Sequence, residues 1–378
     1  MNATGRARAG GPGPRPRAGV LSIGPYKQGA SIIDGVDNPI KVSSNESPLG
    51  PSSRAIQAYL AAAESLCRYP DGTQAALREA IAGVHRLDVA RIVCGNGSDE
   101  LLSLLTRAYA GPGDDVVLSE HSFGMCRIHA QAQGARVITV PEPDFRISAT
   151  GLLESLTPAT RMVIVATPNN PPGTYLPAAE LQRLHAGLPD DILLVVDSAY
   201  AEFVTAADYD PGAALAERAN NVVMTRTFSK LYGLAALRIG WAYASHSIID
   251  VLQRIRTPFN ASAPALAAAT AAMLDREHAM RVREHNSRWL ETMTRELTGF
   301  DLEVIPSVTN FLFVRFPSGR HSAEAAFNFL RMRGIIPRPV GAGGPRTHLR
   351  ITIGLPEENR AVLNALGSFM SSDGAPTP

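Results

Sequence analysis

The chain has 378 residues, with 36 Lys+Arg against 35 Asp+Glu, a net charge of +1, and 45% hydrophobic residues. That is about two domains' worth of globular protein, and the charge balance gives no reason to expect a nucleic-acid or membrane partner. Three cysteines (Cys67, Cys94, Cys126) without a CxxC pair cannot build a disulfide framework, and no apolar run reaches the roughly 18 residues of a membrane span. A reducing compartment, the cytoplasm, is expected.

Residues 1–19 are mostly Gly, Pro, Ala and Arg with no acid, too poor in apolar side chains to offset the entropy of ordering. A disordered tail is expected. An organelle transit peptide is the alternative, weakened by the Pro and Gly content. Residues 20–49 read as an arm belonging with a small C-terminal domain.

From residue 50 the pattern alternates. Leu77, Ile81 and Val84 recur at helical spacing. Val116–Leu118, Val137–Val140, Met162–Val165, Ile192–Val196 and Val222–Met224 are short β-rich runs bounded by turn residues. Runs of this kind, separated by helix-length segments, predict an α/β domain over residues 50–260 with a mostly parallel sheet buried on both faces. Ligands then bind beyond the carboxyl ends of the strands, so the polar residues after each run are the candidates for chemistry. An Ala-rich helix is expected over Ala265–Leu297. It opens a smaller α+β domain, residues 261–371, with strands at Asn310–Phe316 and Leu349–Gly354, helices at Ser322–Met332 and from Pro356, and a disordered tail at 372–378. His278 and His285, seven apart on a polar helix, read as a solvated face, and no metal site is expected.

Three strand ends and one helix start carry unusual residues. Asp197 closes the Ile192–Val196 run, where a carboxylate stays ionised only if a cation or proton pairs with it. Asn169-Asn170 follows Met162–Val165 and precedes the turn Pro171-Pro172-Gly173. Ser229-Lys230 follows Val222–Met224, with Arg238 eight residues on; only three lysines occur in the chain, Lys27, Lys41 and Lys230. Gly95-Asn96-Gly97-Ser98-Asp99-Glu100 precedes a helix over Leu101–Tyr109, with Ser98 as a candidate N-cap and glycines that let backbone N–H groups approach an anion. It lacks the third glycine of a dinucleotide fingerprint. One cofactor asks for all of these parts. Pyridoxal 5′-phosphate needs a lysine for its aldehyde, a carboxylate for its ring nitrogen, a donor to its phenolic oxygen and a phosphate cradle.

The stretches KVSSNESPLGP (41–51), RYPDG (68–72), GNGSDE (95–100), SFGM (122–125), TPNNPPG (167–173), DSAYAEF (197–203), 227–240 and LRITIG (349–354) resemble, in order, the fold-type-I pyridoxal-phosphate aminotransferases, most closely their histidinol-phosphate branch. The resemblance runs from about Pro25 to Leu366. It implies that Lys230 takes the cofactor aldehyde and shuttles the proton, and that Asp197 pairs with the pyridine nitrogen. Asn170 and Tyr200 would bond the phenolic oxygen and Phe123 would stack on the ring. Ser98, Asp99, Thr227, Ser229 and Arg238 would cradle the phosphate, and Tyr69 would reach the phosphate in the neighbouring subunit of a homodimer with shared sites. Arg350 would grip a substrate carboxylate by a bidentate fork. Arg338 and Tyr26 are candidates for a substrate phosphate, and Asn45 for substrate contact. The implied reaction converts histidinol phosphate and 2-oxoglutarate to imidazole acetol phosphate and glutamate, in histidine biosynthesis. An aromatic amino-acid aminotransferase is the alternative. A decarboxylase of a phosphorylated amino acid and a non-catalytic scaffold are more distant readings. Departures from the family pattern are Ser198, Pro172, Ala236 and the loop Gly341–Gly344, which lacks an aromatic.

Overall fold

A computed structural model of the chain describes residues 16–17, 19–25, 29–340 and 346–371. Most of the expected tail at 1–19, the tail at 372–378, Tyr26 and the Gly341–Gly344 loop lie outside the described residues. Of the first segment, Arg17 donates to the carbonyl of Gln133 at 2.9 Å.

Seven strands form the large sheet: β1 (Ile92–Gly95), β2 (Asp115–Ser119), β3 (Arg136–Val140), β4 (Thr160–Ala166), β5 (Leu193–Asp197), β6 (Val222–Thr227) and β7 (Gly240–Ala244). Their spatial order is β1-β7-β6-β5-β4-β2-β3. The central pairs are parallel, whereas β7 runs antiparallel to both β6 and β1. The five expected runs are five of these strands. β1 and β7 were not foreseen: Gly240-Trp241-Ala242-Tyr243-Ala244 mixes small and aromatic residues without a continuous β-branched run, and Ile92–Gly95 merges into the glycine-rich turn. Apolar clusters cover both faces, one built on Val117, Val163, Val165, Leu194 and Val196, the other on Val116, Leu118, Met162, Ile164 and Val195. Alternate residues of each strand serve opposite faces, which is why the runs read as continuously hydrophobic.

Strand order reverses between β4 and β2, the place where a doubly wound sheet opens a crevice at its carboxyl edge. Asn170, Asp197 and Lys230 all follow strands that end there.

The long helix expected at Ala265–Leu297 is two helices, Ala263–Leu274 and Arg276–Gly299, broken at Asp275. Asp275 leaves helical geometry, and its carboxylate accepts from His278 N at 3.2 Å to cap the second helix. The Ala-rich first helix packs through Ala265, Ala268, Ala269 and Ala272 into the large-domain core, against helices Ser53–Ala62 and Ala75–His85. The second carries Trp289, Met293 and Leu297 into the small-domain core. The alanine face of the first helix thus suits close packing on the large domain, and the start of the second helix still contributes Val282 to the same core. His278 and His285 are not a solvated face. Both are buried, and they meet the carbonyls of Gly50 at 3.1 Å and Gly354 at 2.9 Å.

The small domain adds an antiparallel sheet of β8 (Glu303–Ile305), β9 (Phe311–Arg315), β10 (Arg338–Pro339) and β11 (His348–Thr352), ordered β10-β11-β9-β8. Ile40 and Lys41 of the arm pair in parallel with Ile335 and Ile336 of this domain. Among the described residues no helix is long and apolar enough to cross a membrane.

Gly240 opens β7 against the turn that starts helix Ser98–Tyr109. A Cβ there would stand 2.8 Å from the Arg226 carbonyl oxygen and 2.8 Å from the Gly97 carbonyl carbon, both backbone. Gly240→Ala is expected to destabilise the protein by about 1–3 kcal/mol through overpacking. Urea melts of the two proteins check this; an unchanged midpoint would contradict it.

Candidate active site

Asp197 and Lys230 stand across the crevice. Asp197 is 5% exposed at the end of β5, and its Oδ1 accepts from the Thr225 hydroxyl at 2.9 Å. The two are register neighbours on parallel strands. Burial pushes the Asp197 carboxyl up to about 6 and the Asp99 charge adds to this, against the Thr225 bond and the Lys230 charge. Lys230, part-buried, points its Nζ at the Ser44 carbonyl, 3.4 Å away, and lies 5.6 Å from the centre of the Tyr200 ring. Burial first, then the Arg350 guanidinium, brings its amine down to about 8, with Glu46 resisting. The site therefore holds a carboxylate in want of a proton and an amine ready to lose one.

At one end of the crevice lies an anion cradle. Helix Ser98–Tyr109 begins with Ser98 as its first residue. Gly97, at φ 84°, is the N-cap rather than Ser98, which makes no capping bond. The Glu100 carboxylate reaches back to Asn96 N at 2.5 Å and so fixes the turn. A Cβ on Gly97 would stand 2.6 Å from Arg238 Nη2, so only glycine lets this guanidinium approach the helix start. Arg238, itself in left-handed geometry at φ 49°, donates to Ser229 Oγ at 3.2 Å. Thr227 is buried and its Oγ1 accepts from Ser229 N at 3.1 Å. The Asp99 side chain is turned to His129 at 3.0 Å, leaving its backbone at the helix start. Helix N–H groups, hydroxyls and an arginine converging on a space that a Cβ would fill fit a phosphate. With Asp197 facing Lys230 beyond them, these residues fit pyridoxal 5′-phosphate.

The opposite end is built from both domains. Arg350 on β11 donates to Asn170 Oδ1 at 2.6 Å and to the Ser43 carbonyl at 2.6 Å. Its guanidinium also lies over the Phe311 ring, 5.3 Å from the centroid. Arg338 is the register partner of Arg350 on β10, so the two side chains share a face. Gly29 of the arm lies against Arg338: a Cβ there would stand 3.2 Å from Arg338 Nη1.

Asn45, the candidate for substrate contact, lies beside Tyr200. It is fully buried, and its Nδ2 donates to the Tyr200 hydroxyl at 2.8 Å. Thr352 fixes its other edge, accepting from Asn45 N at 3.0 Å and donating to Oδ1 at 3.1 Å. Phe123 caps helix Gly124–Gln133 and packs partly buried on the core. Tyr69 is not brought to the site of its own chain; it is 83% exposed and stacks on Phe259 at 4.7 Å.

Ser198, in place of the family's acid, is buried and donates to the Pro211 carbonyl at 2.7 Å. Sequence reasoning missed Thr225, Ser43 and Ser44. The alternation of β6 could have put Thr225 beside Asp197; nothing local marks the arm serines, whose roles arise from the docking of the arm.

Residues 37–366 match the model of the aminotransferase class I and II family. The chain is 51% identical over 360 residues to the histidinol-phosphate aminotransferase of Paramagnetospirillum magneticum, covering 95% of this chain and 99% of that one. Identity to the enzyme of the same name from Maricaulis maris is 48% over 359 residues, 94% and 99% of the two chains. Among solved structures, the histidinol-phosphate aminotransferase of Sinorhizobium meliloti in complex with pyridoxal 5′-phosphate superposes with a TM-score of 0.83 at 30% identity, over 88% of this chain and 90% of that one. With the lysine, buried aspartate and arginine pair all in one crevice, the chain belongs to the aminotransferase class I and II family.

Proposed function

We propose that the protein is a pyridoxal-phosphate-dependent transaminase exchanging histidinol phosphate and 2-oxoglutarate for imidazole acetol phosphate and glutamate. The observation that carries the reading is the single crevice joining Asp197 and Lys230 to Arg350. The near-full-length likeness to two enzymes named for that substrate supports the choice of donor.

When bound, the cofactor supplies an aldehyde for the amino group and a cationic ring that takes up an electron pair. The residues supply the rest. Asp197, buried and already short of a counter-charge, holds a proton on the ring nitrogen. Lys230, brought to about 8, carries a substantial neutral fraction near neutral pH and can take a proton from the substrate α-carbon and return it. Tyr200, accepting from Asn45, is set to donate its own proton to the phenolic oxygen. Ser229, Arg238 and the helix start hold the phosphate. Arg350 receives the carboxylate common to glutamate and 2-oxoglutarate. Arg338, on the same face, is the cation we assign to the substrate phosphate.

We further infer a cytoplasmic homodimer. Ile56, Tyr59 and Leu60 on helix Ser53–Ala62, with Leu66, Tyr69 and Phe259, are large apolar side chains left exposed. Grouped patches of this kind mark association surfaces. Tyr69 belongs to this patch, and the family resemblance assigns it to the cofactor phosphate of the neighbouring subunit. Sedimentation of the purified protein is expected to give twice the chain mass, and Tyr59→Glu to shift it toward one chain; a monomeric wild type would reject the dimer.

Asp197 generates a second expectation. Burial pushes its carboxyl up to about 6 from an ordinary 3.8, a difference worth about 3 kcal/mol. The native state binds more protons than the unfolded one between these values, so the cost of the buried charge is complete above pH 6 and absent below about pH 4. Asp197→Asn is therefore expected to raise the melting temperature of the cofactor-free protein at pH 7.5, with the gain shrinking as pH falls through 6. The same variant weakens pyridoxal-phosphate binding. An Asn variant less stable at pH 7.5 would contradict the assignment.

The direct test is a panel of amino donors with 2-oxoglutarate, using Lys230→Ala as the blank. Histidinol phosphate is expected to be the fastest donor and Lys230→Ala to lose at least 1000-fold. A panel led by phenylalanine or tyrosine would replace the substrate and keep the chemistry. Carbon dioxide without oxo-acid product would replace the chemistry.

A further inference from the structure

Behind Asn170 lies a buried polar chain that the reaction as described does not use. Glu142, on the loop after β3, has a side chain with no exposed surface. Its Oε2 lies 3.1 Å from His121 Nδ1, and its Oε1 accepts from Asn169 Nδ2 at 2.9 Å and from His121 N at 3.3 Å. Asn169 is itself fully buried. Its orientation is fixed, since a carboxylate must face Nδ2 while Oδ1 accepts the backbone N–H of Asn170 at 2.9 Å. Asn170 Oδ1 in turn accepts from Arg350.

The turn bearing these asparagines closes on itself. Asn169 N donates to the Thr174 carbonyl at 2.7 Å, and Thr174 Oγ1 donates to the Phe145 carbonyl at 2.6 Å. Asp144 and Phe145 are consecutive non-glycine residues at φ 51° and 59°, a conformation that persists only where surroundings impose it. Here Phe145 is wedged edge-on against Phe313 and His348 of the small domain, with ring centroids 5.3 and 5.0 Å away. One loop thus supports Asn170 from behind and touches the strand that carries Arg350.

We propose that Glu142 and Asn169 are positioning residues that set Asn170, and through it the Arg350 fork, for the carboxylate of both amino and oxo acids. The inference rests on the transaminase reading of the site. Neither side chain touches substrate; each acts by denying Asn170 and Arg350 alternative orientations.

The test is a polarity swap in the holoenzyme, read as the Kd of glutarate, a dicarboxylate that cannot react, from the change in cofactor absorbance. Asn169→Asp sets two carboxylates face to face and is expected to raise Kd at least tenfold. Glu142→Gln keeps an acceptor for Asn169 and should stay within threefold of wild type. The double variant, in which the Gln amide donates to the Asp, should return to within threefold. Should Asn169→Asp fail to fold, Glu142→Ala carries the same tenfold expectation. Unchanged affinity in the single variant, or a double variant no better than it, overturns the proposal. A purely structural role would lower the melting temperature without restoring Kd on the swap. A wild-type protein that binds cofactor at Lys230 and glutarate, with variants that do the same, removes only this inference; a wild type that binds neither removes the reading of the site as well.

Discussion

A carboxylate sunk at the end of a strand, with one hydroxyl for company, is the constraint on which the rest depends. Asp197 is held there by the parallel pairing of β5 and β6, which also supplies Thr225. Burial outweighs the Thr225 hydroxyl and the Lys230 charge that favour its ionised form. Its proton affinity consequently rises until a cationic partner becomes the preferred neighbour. Folding alone leaves that demand unmet, and binding of a protonated ring answers it.

The same low-dielectric setting acts on Lys230 with opposite sign. Burial and the two arginines favour its neutral form, so the amine is ready to react without a separate general base. In the function proposed above, Arg238 would also serve the phosphate cradle and Arg350 the carboxylate fork, so the charges that would hold ligands at both ends also lower the proton affinity of the amine between them.

Much of this was legible in the chain. The runs at Val116, Val137, Met162, Ile192 and Val222 marked the sheet because both its faces are buried, and the residues just beyond marked the crevice because parallel strands end together. β1 and β7 escaped because Gly240–Ala244 is built for close approach to the Ser98 helix start rather than for β propensity. The break at Asp275 escaped because no Gly or Pro marks it, and the sign of it is the Asp275 carboxylate capping the second helix at His278 N. His278 and His285 looked solvated because their partners are backbone carbonyls, which leave no trace in a pattern of side chains. Asn45 was recognised as a candidate contact, but its bond to Tyr200 was not foreseen. Its contact with Tyr200 spans 155 positions and depends on how the arm folds across the small domain.

That arm ties the ring-facing tyrosine to a distant strand. Asn45 grips the Tyr200 hydroxyl with one edge of its amide and Thr352 with the other, while Asn310 holds its carbonyl at 3.0 Å. Tyr200 belongs to the large domain, Thr352 and Asn310 to the small one. The place of that phenol is therefore set jointly by Asn45, Asn310 and Thr352, and a change in how the small domain packs reaches the large domain's crevice through one hydrogen-bonded asparagine.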